Sequence, residues 1–474
     1  MLFSSSVFLS VFLPLVLAGY YLLCPLLGRW RRGAQNLFLL FASLFFYAWG
    51  EPWFVIAMLA SIGANYLFGV WVGARKKAGR SVRLPVVLSA VSNLGLLFVF
   101  KYLTFTLTQL GHLGLSLTIP VIELPIGISF FTFQAMSYVL DVARDHAPVQ
   151  PSPFKVGLYI SFFPQLIAGP IVKYETIAGE IDDRVETWAD FSSGVGRFLV
   201  GLAKKVLLSN QLAAVADAAF DKGPDSVLFA WVGSICYLLQ LYFDFGGYSD
   251  MAIGLGRMFG FHFLENFRYP FCAHSVSEYW RRWHISMTTW FRDYVYIPLG
   301  GNRHGAGKTL RNTFVVWLLT GIWHGANWTF LVWGLMNFGF MLWEKQWGHP
   351  EKWKPFWSWL YTFTAAVLVF TVFRADSLTA AASYFQVLFH LGDFPLWSDN
   401  VALYLREYGL FILMAALASA PTATAVRSWL EQKAVRPVQW GWSAVGVAAL
   451  LVCFGAAVCF IIKGTYNPFI YFNF

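Results

Sequence analysis

Long apolar runs separated by short polar loops dominate this chain. Runs that approach ~20 residues match helices crossing a hydrocarbon layer of ~30 Å, not the ~10-residue alternating strands of a barrel. The pattern predicts helical spans at 7–27, 37–49, 54–72, 84–110, 119–142, 154–172, 195–219 and 227–245. Later spans are predicted at 313–343, 356–373, 408–420 and 440–462. Gly50-Glu51-Pro52 separates the second and third as a short hairpin turn.

Two regions break the pattern. Residues 250–312 are rich in Arg, His, Trp and Gly, with few long apolar runs. Irregular backbone does not face lipid, so this stretch is cytoplasmic, interfacial or buried within protein. The segment from Thr313 to Trp343 contains no Asp, Glu, Lys or Arg, yet holds Trp323-His324-Gly325-Ala326-Asn327-Trp328. About thirty residues are long for one straight span and short for two, at ~1.5 Å rise per residue. A long tilted helix and a pair of half-helices both remain open, with Gly321, Gly325 and Gly334 able to permit a break or close contact. Either form puts His324 well inside the membrane.

Composition agrees with an integral membrane protein. The 474 residues are 58% apolar, 19% aromatic and 12% charged, where soluble domains carry about 25% charged residues. The fold class expected is all-α: a polytopic helical bundle forming one domain, 1–474. The net charge of +9 sits in short loops such as Arg29–Arg32 and Arg75–Arg83. That is the positive-inside signature of a cytoplasmic membrane and no indication of nucleic acid. It places the N-terminus outside, and the loop with Arg427, Lys433 and Arg436 inside. The tail 464–474 is then extracytoplasmic, against the single opposing charge of Lys463. The first apolar run lacks preceding basic residues and a cleavage pattern, and reads as a retained span. Five scattered cysteines form no Cys-x-x-Cys and imply neither disulfides nor zinc.

Candidate chemistry begins with His324. An ionisable group at that depth is costly, and intramembrane ionisable residues default to function. A neutral imidazole suits a general base, although a hydrogen-bonded histidine in the packing would look the same. His284, in Tyr279-Trp280-Arg281-Arg282-Trp283-His284, reads as interfacial or functional. Arg281, Arg282 and Arg292 fit either headgroup anchoring or the phosphates of a nucleotide-bearing donor. Leu299-Gly300-Gly301-Asn302-Arg303 is a turn and a weak anion nest. Asp244 and Asp250 need partners if buried, and the Arg cluster is the expected one. Tyr471, in the aromatic tail, either packs at the interface or accepts an acyl group. Asn327-Trp328-Thr329 is an accidental glycosylation sequon inside an apolar segment. P-loop, dinucleotide, serine-hydrolase and zincin motifs do not occur, and no metal is expected.

Several ordered motifs resemble the membrane-bound O-acyltransferase family. They are Tyr242-Phe243-Asp244-Phe245-Gly246-Gly247-Tyr248-Ser249-Asp250, the stretch from Tyr279 to Ser286, the stretch from Arg292 to Arg303, and the stretch from Ile322 to Trp328. Phe163-Pro164-Gln165-Leu166-Ile167-Ala168-Gly169-Pro170 is also similar. More narrowly, the chain resembles the bacterial branch that serves alginate and peptidoglycan O-acetylation and teichoic acid D-alanylation. One departure is Gly246, where that branch usually has Ser.

The resemblance implies helices around a central tunnel with broken or re-entrant core helices. It implies catalytic histidines at His324 and His284, and an acyl-carrying tyrosine at Tyr471. The function expected is transfer of an acetyl group from cytoplasmic acetyl-CoA, with no permanently bound cofactor, toward an extracytoplasmic polysaccharide. His324 would serve as base, and His284, on the cytoplasmic side, would orient or polarise the thioester. A serine-hydrolase-type partner outside the bacterial inner membrane would complete the transfer. D-alanyl transfer and a polysaccharide or lipid-linked sugar transporter are the alternatives.

Overall fold

The computed structural model describes residues 1–116, 118–120, 122–433 and 436–464, without the side chains of 427, 431–433 and 436–443. Tyr471 and the rest of the tail from 465 lie outside the described residues. Helices and their connecting loops make up the described residues, with no strand among them. Among the described residues, eight helices are long and apolar enough to cross a membrane. The chain divides into two compact units, 1–198 with 249–264, and 199–248 with 265–474.

In the first unit the helical stretch Phe8–Ala48 is two arms. Gly28 sits at φ +52°, a left-handed conformation open to glycine, and folds the chain there. The arms pair through Phe8 on Phe46, at 6.0 Å between ring centroids, and Phe12 on Phe46, at 5.5 Å. At the basic turn Glu186 accepts from Tyr20 (2.5 Å) and Arg32 (2.6 Å), while buried Arg184 donates to Asn36 (2.7 Å). Two expected spans are corrected. Residues 119–142 form a helix only over Ile128–Ala143, because Pro120 and Pro125 withhold backbone donors before it. Residues 154–172 break into Pro153–Ser161 and Phe163–Leu166. Phe162 turns out at ψ 113° between them, and residues 156–172 are nearly all buried in protein.

The second unit begins within the long helix Trp188–Asp221, continues along the helix Val227–Met258 as far as Tyr248, and resumes at Glu265. The latter helix outruns the expected 227–245 because its acidic end remains helical. Asp244 lies 2.5 Å from Lys205 Nζ, so its carboxylate enters the helix with a partner instead of ending it. Nearby, a Cβ on Gly247 would stand 2.8 Å from the Gly201 carbonyl, so glycine lets the two helices approach there.

The stretch from Thr313 to Trp343 is two helices, Ala306–His324 and Trp328–Trp343, which settles the open choice. Gly325 is extended, and the Asn327 side chain caps the second helix by accepting from Thr329 N–H at 3.2 Å. The arms fold against each other as a tight hairpin. A Cβ on Gly321 would meet the Phe330 carbonyl at 2.7 Å, and one on Gly334 the Trp317 carbonyl at 2.6 Å.

The hairpin has two distinct ends. Its base carries Lys308, Arg311 and Lys345. Its tip meets the end of the helix Pro355–Arg374, where Asn327 Nδ2 donates to the Asp376 carbonyl at 2.8 Å. Arg374 there pairs with Asp217 (3.1 Å) and Asp221 (2.6 Å). Nineteen residues from Ala306 to His324 rise about 28 Å, so base and tip are separated by most of a bilayer core.

Candidate functional site

A second, shorter hairpin enters the same unit from the base. Glu344 anchors its first helix, Val276–Arg282, by accepting from Ser277 N–H (3.1 Å) and Oγ (2.9 Å). Farther in, Trp280 Nε1 donates to Asn337 Oδ1 at 2.9 Å and its ring meets Trp317 at 4.7 Å. The chain then reverses at His284, φ +44° and ψ +53°, and returns as Ile285–Phe291. Residues 299–301 are back at the base, where Asn312 Nδ2 donates to the carbonyls of Gly301 (2.8 Å) and Leu299 (3.2 Å). His284 thus occupies the turning point of one hairpin, and His324 lies at the end of the inward arm of the other.

Both histidines are enclosed by rings. The His324 imidazole stands edge-on to Trp333 at 4.8 Å and to Phe373 at 5.3 Å. His284 meets Phe245 at 4.5 Å. Trp323 is a neighbour of both, at 5.1 Å from His324 and 6.3 Å from His284. The two imidazole centroids are therefore no farther apart than the sum of those lengths. Trp333 is buried, and its indole N–H has no partner among the described residues. Unpaired buried donors are rare in folded proteins.

His284 is 1% exposed. The flanking hairpin thus carries it into the protein interior, within ring contact of Trp323. It lies outside the eight long apolar helices. Burial pushes its imidazole down to about 3, so it is neutral in the folded protein at ordinary pH. Its Nδ1 lies 3.2 Å from Asn266 Oδ1, while its Nε2 has no hydrogen-bond partner among the described residues.

The other expected residues separate. Arg281 is exposed and lines a cavity of about 830 Å³ at the base, with Lys345, His349, Thr309 and apolar Met341 and Leu342. Arg282 instead pairs with Glu278 one turn back, at 2.6 Å. Arg292 pairs with its neighbour Asp293 at 2.7 Å. Asn302 is exposed in the turn that Asn312 holds through its carbonyls. Asp244 and Asp250 are paired as buried carboxylates should be, but not with the Arg cluster: Asp244 takes Lys205 and Asp250 takes Arg197. At Gly246 a Cβ would meet nothing closer than 3.8 Å, so the backbone there does not itself require glycine.

Asp141, His146 and Glu175 gather in the first unit with ligand atoms within 4.8 Å of one another. Lys173 Nζ already lies 2.5 Å from Glu175, a fixed cation beside any ion bound there. Residues the sequence reading did not single out are Asn266, Asn312, Lys205 and Asn337. Buried Asn or Lys among apolar neighbours was the available signal, since such groups are kept only with partners.

Residues 44–383 match the model of MBOAT, the membrane-bound O-acyltransferase family. The chain is 38% identical to the protein named probable alginate O-acetylase AlgI of Pseudomonas putida, over the full length of both. It is 32% identical to the peptidoglycan O-acetyltransferase of Helicobacter pylori, over 100% of this chain and 98% of that one. The teichoic acid D-alanyltransferase of Bacillus subtilis is 28% identical over 52% of this chain and 65% of its own length.

Proposed function

Given that the chain belongs to the membrane-bound O-acyltransferase family and is an acyltransferase, we propose that it moves an acetyl group from cytoplasmic acetyl-CoA toward an extracytoplasmic polysaccharide. The observation that carries this reading is the pair of enclosed imidazoles, His324 and His284, sharing Trp323 as neighbour. In such surroundings a neutral histidine takes a proton without competition from water. His324 removes the proton of the attacking hydroxyl, whose oxygen joins the acetyl carbon as the bond to sulfur breaks. The released thiolate takes up the proton and leaves as a thiol.

The base of the hairpins carries the charge of a cytoplasmic face, and its cavity with Arg281 and Lys345 suits a phosphate-bearing thioester. The donor enters from that end in the inner membrane of a bacterium. His284 orients it. Tyr471 is the first acceptor on the far side, and a serine-hydrolase-type partner passes the acetyl on to the polymer. Full-length similarity to an alginate O-acetylase and a peptidoglycan O-acetyltransferase favours acetyl over D-alanyl transfer.

The test is transfer from labelled acetyl-CoA by purified protein, together with polymer O-acetyl ester in cells. His324→Ala at normal membrane levels should abolish both, and wild-type acetylation would sink the assignment. Tyr471→Phe should stop transfer while keeping an aromatic ring; undiminished ester would reduce the tail to an anchor.

A further inference from the structure

Asn266 is wholly buried. Its side-chain oxygen accepts from the Ser286 backbone N–H (3.1 Å), from Ser286 Oγ (2.9 Å) and from His284 Nδ1 (3.2 Å). A backbone N–H can only donate, so the shared atom is the amide oxygen. An oxygen that only accepts requires the proton of a neutral His284 to sit on Nδ1. The lone pair of that imidazole is then on Nε2, the atom without a hydrogen-bond partner among the described residues.

The backbone repeats the grip. The Asn266 carbonyl accepts from Ile285 N–H at 2.9 Å, directly after His284. His284 itself holds a left-handed conformation, which side chains other than glycine rarely adopt. A strained turn locked on both sides by one residue is an aimed imidazole.

We infer that Asn266 is a positioning residue that holds His284 in its Nδ1–H form and makes Nε2 a hydrogen-bond acceptor facing the substrate. The acyl donor's arm must then offer Nε2 an N–H, of the amide type. His284 orients the donor by accepting and, while neutral, cannot polarise the thioester carbonyl. This rests on the catalytic reading of His284, but the proton's place on the ring does not.

The experiment is ¹⁵N NMR of full-length protein with ¹⁵N-labelled histidine in lipid, with His284 identified by its loss in His284→Gln. The wild type should show His284 protonated on Nδ1. Asn266→Leu should lose that state and at least tenfold of transfer. Asn266→Asp keeps the acceptor oxygen and so covers the case in which the leucine variant does not fold. It should keep the Nδ1–H form, retain transfer and raise the pH at which His284 titrates, because a carboxylate favours imidazolium. A wild-type proton on Nε2, or an unchanged titration in Asn266→Asp, overturns the inference. If the resonances behave as expected but His284→Gln transfers at the wild-type rate, the catalytic reading of His284 falls and the positioning by Asn266 stands.

Discussion

Lys205 and Asp244 form an ion pair 2.5 Å long in which each side chain is at most 2% exposed. Removing one partner of such a buried pair costs roughly 3–5 kcal/mol, whereas replacing both with apolar groups is often close to neutral. Lys205→Met and Asp244→Leu should each lower the denaturation midpoint of the purified protein sharply, and the double variant should recover most of it. Additive losses would show that the two charges do not depend on each other.

Gly334→Ala should be far more damaging than Gly339→Ala, although both lie in the same helix. A methyl at 334 would meet the Trp317 carbonyl at 2.6 Å, while nothing lies within 4 Å of one at 339. Overpacking of this kind costs about 1–3 kcal/mol, and alanine in an open helical position gains roughly 0.5–1 kcal/mol. Thermal unfolding followed by residual acyl transfer separates the two, since only the 334 variant should displace His324.

His284 predicts a direction for stability against pH. Its folded value of about 3 lies below the unfolded ~6.5. The unfolded chain therefore binds the extra proton first as pH falls. The contribution is fully present above 6.5 and is lost on acidification toward 3, at up to about 1.4 kcal/mol per pH unit. Denaturant titrations between pH 7.5 and 4.5 should show a shallower acid decline for His284→Gln than for the wild type. Equal slopes would mean that the imidazole is not neutralised by burial.

Arg281 lines the basal cavity, whereas Arg282 and Arg292 are held by carboxylates. Arg281→Ala should raise the KM for acetyl-CoA about tenfold, the scale of one charge-assisted contact to phosphate, with a smaller change in kcat. Arg282→Ala should leave the KM nearly unchanged. The reverse ranking would move the donor away from this cavity.

Much of the helical plan was legible because apolar length is a direct demand of the bilayer. The start at Phe54 and the span ending at Ile462 follow from run length and composition, whereas the break near Gly325 did not, because the length of that run suits a tilted helix as well as two helices. Residues 154–172 misled because an apolar run buried inside protein looks like one facing lipid, and only Pro164 and Pro170 hinted otherwise. His324 could be picked out because nothing nearby shares its polarity. His284 was harder, since adjacent arginines imitate an interface, while its inward position comes from a reversal that composition does not encode. The partners of Asp244 and Asp250 were misassigned for a related reason: Lys205 and Arg197 come from a helix distant in sequence, and pairing across helices leaves no local trace.

The shorter hairpin also implies an order of assembly. Its helices, Val276–Arg282 and Ile285–Phe291, have seven residues each and reach only about 10 Å, too little to cross a ~30 Å layer alone. The reversal at His284 exposes backbone groups that lipid cannot satisfy. This segment therefore settles only after the long helices around it stand in the bilayer. The proposed catalytic centre is then the last part of its unit to mature, and a fully inserted chain can still be an unfinished enzyme.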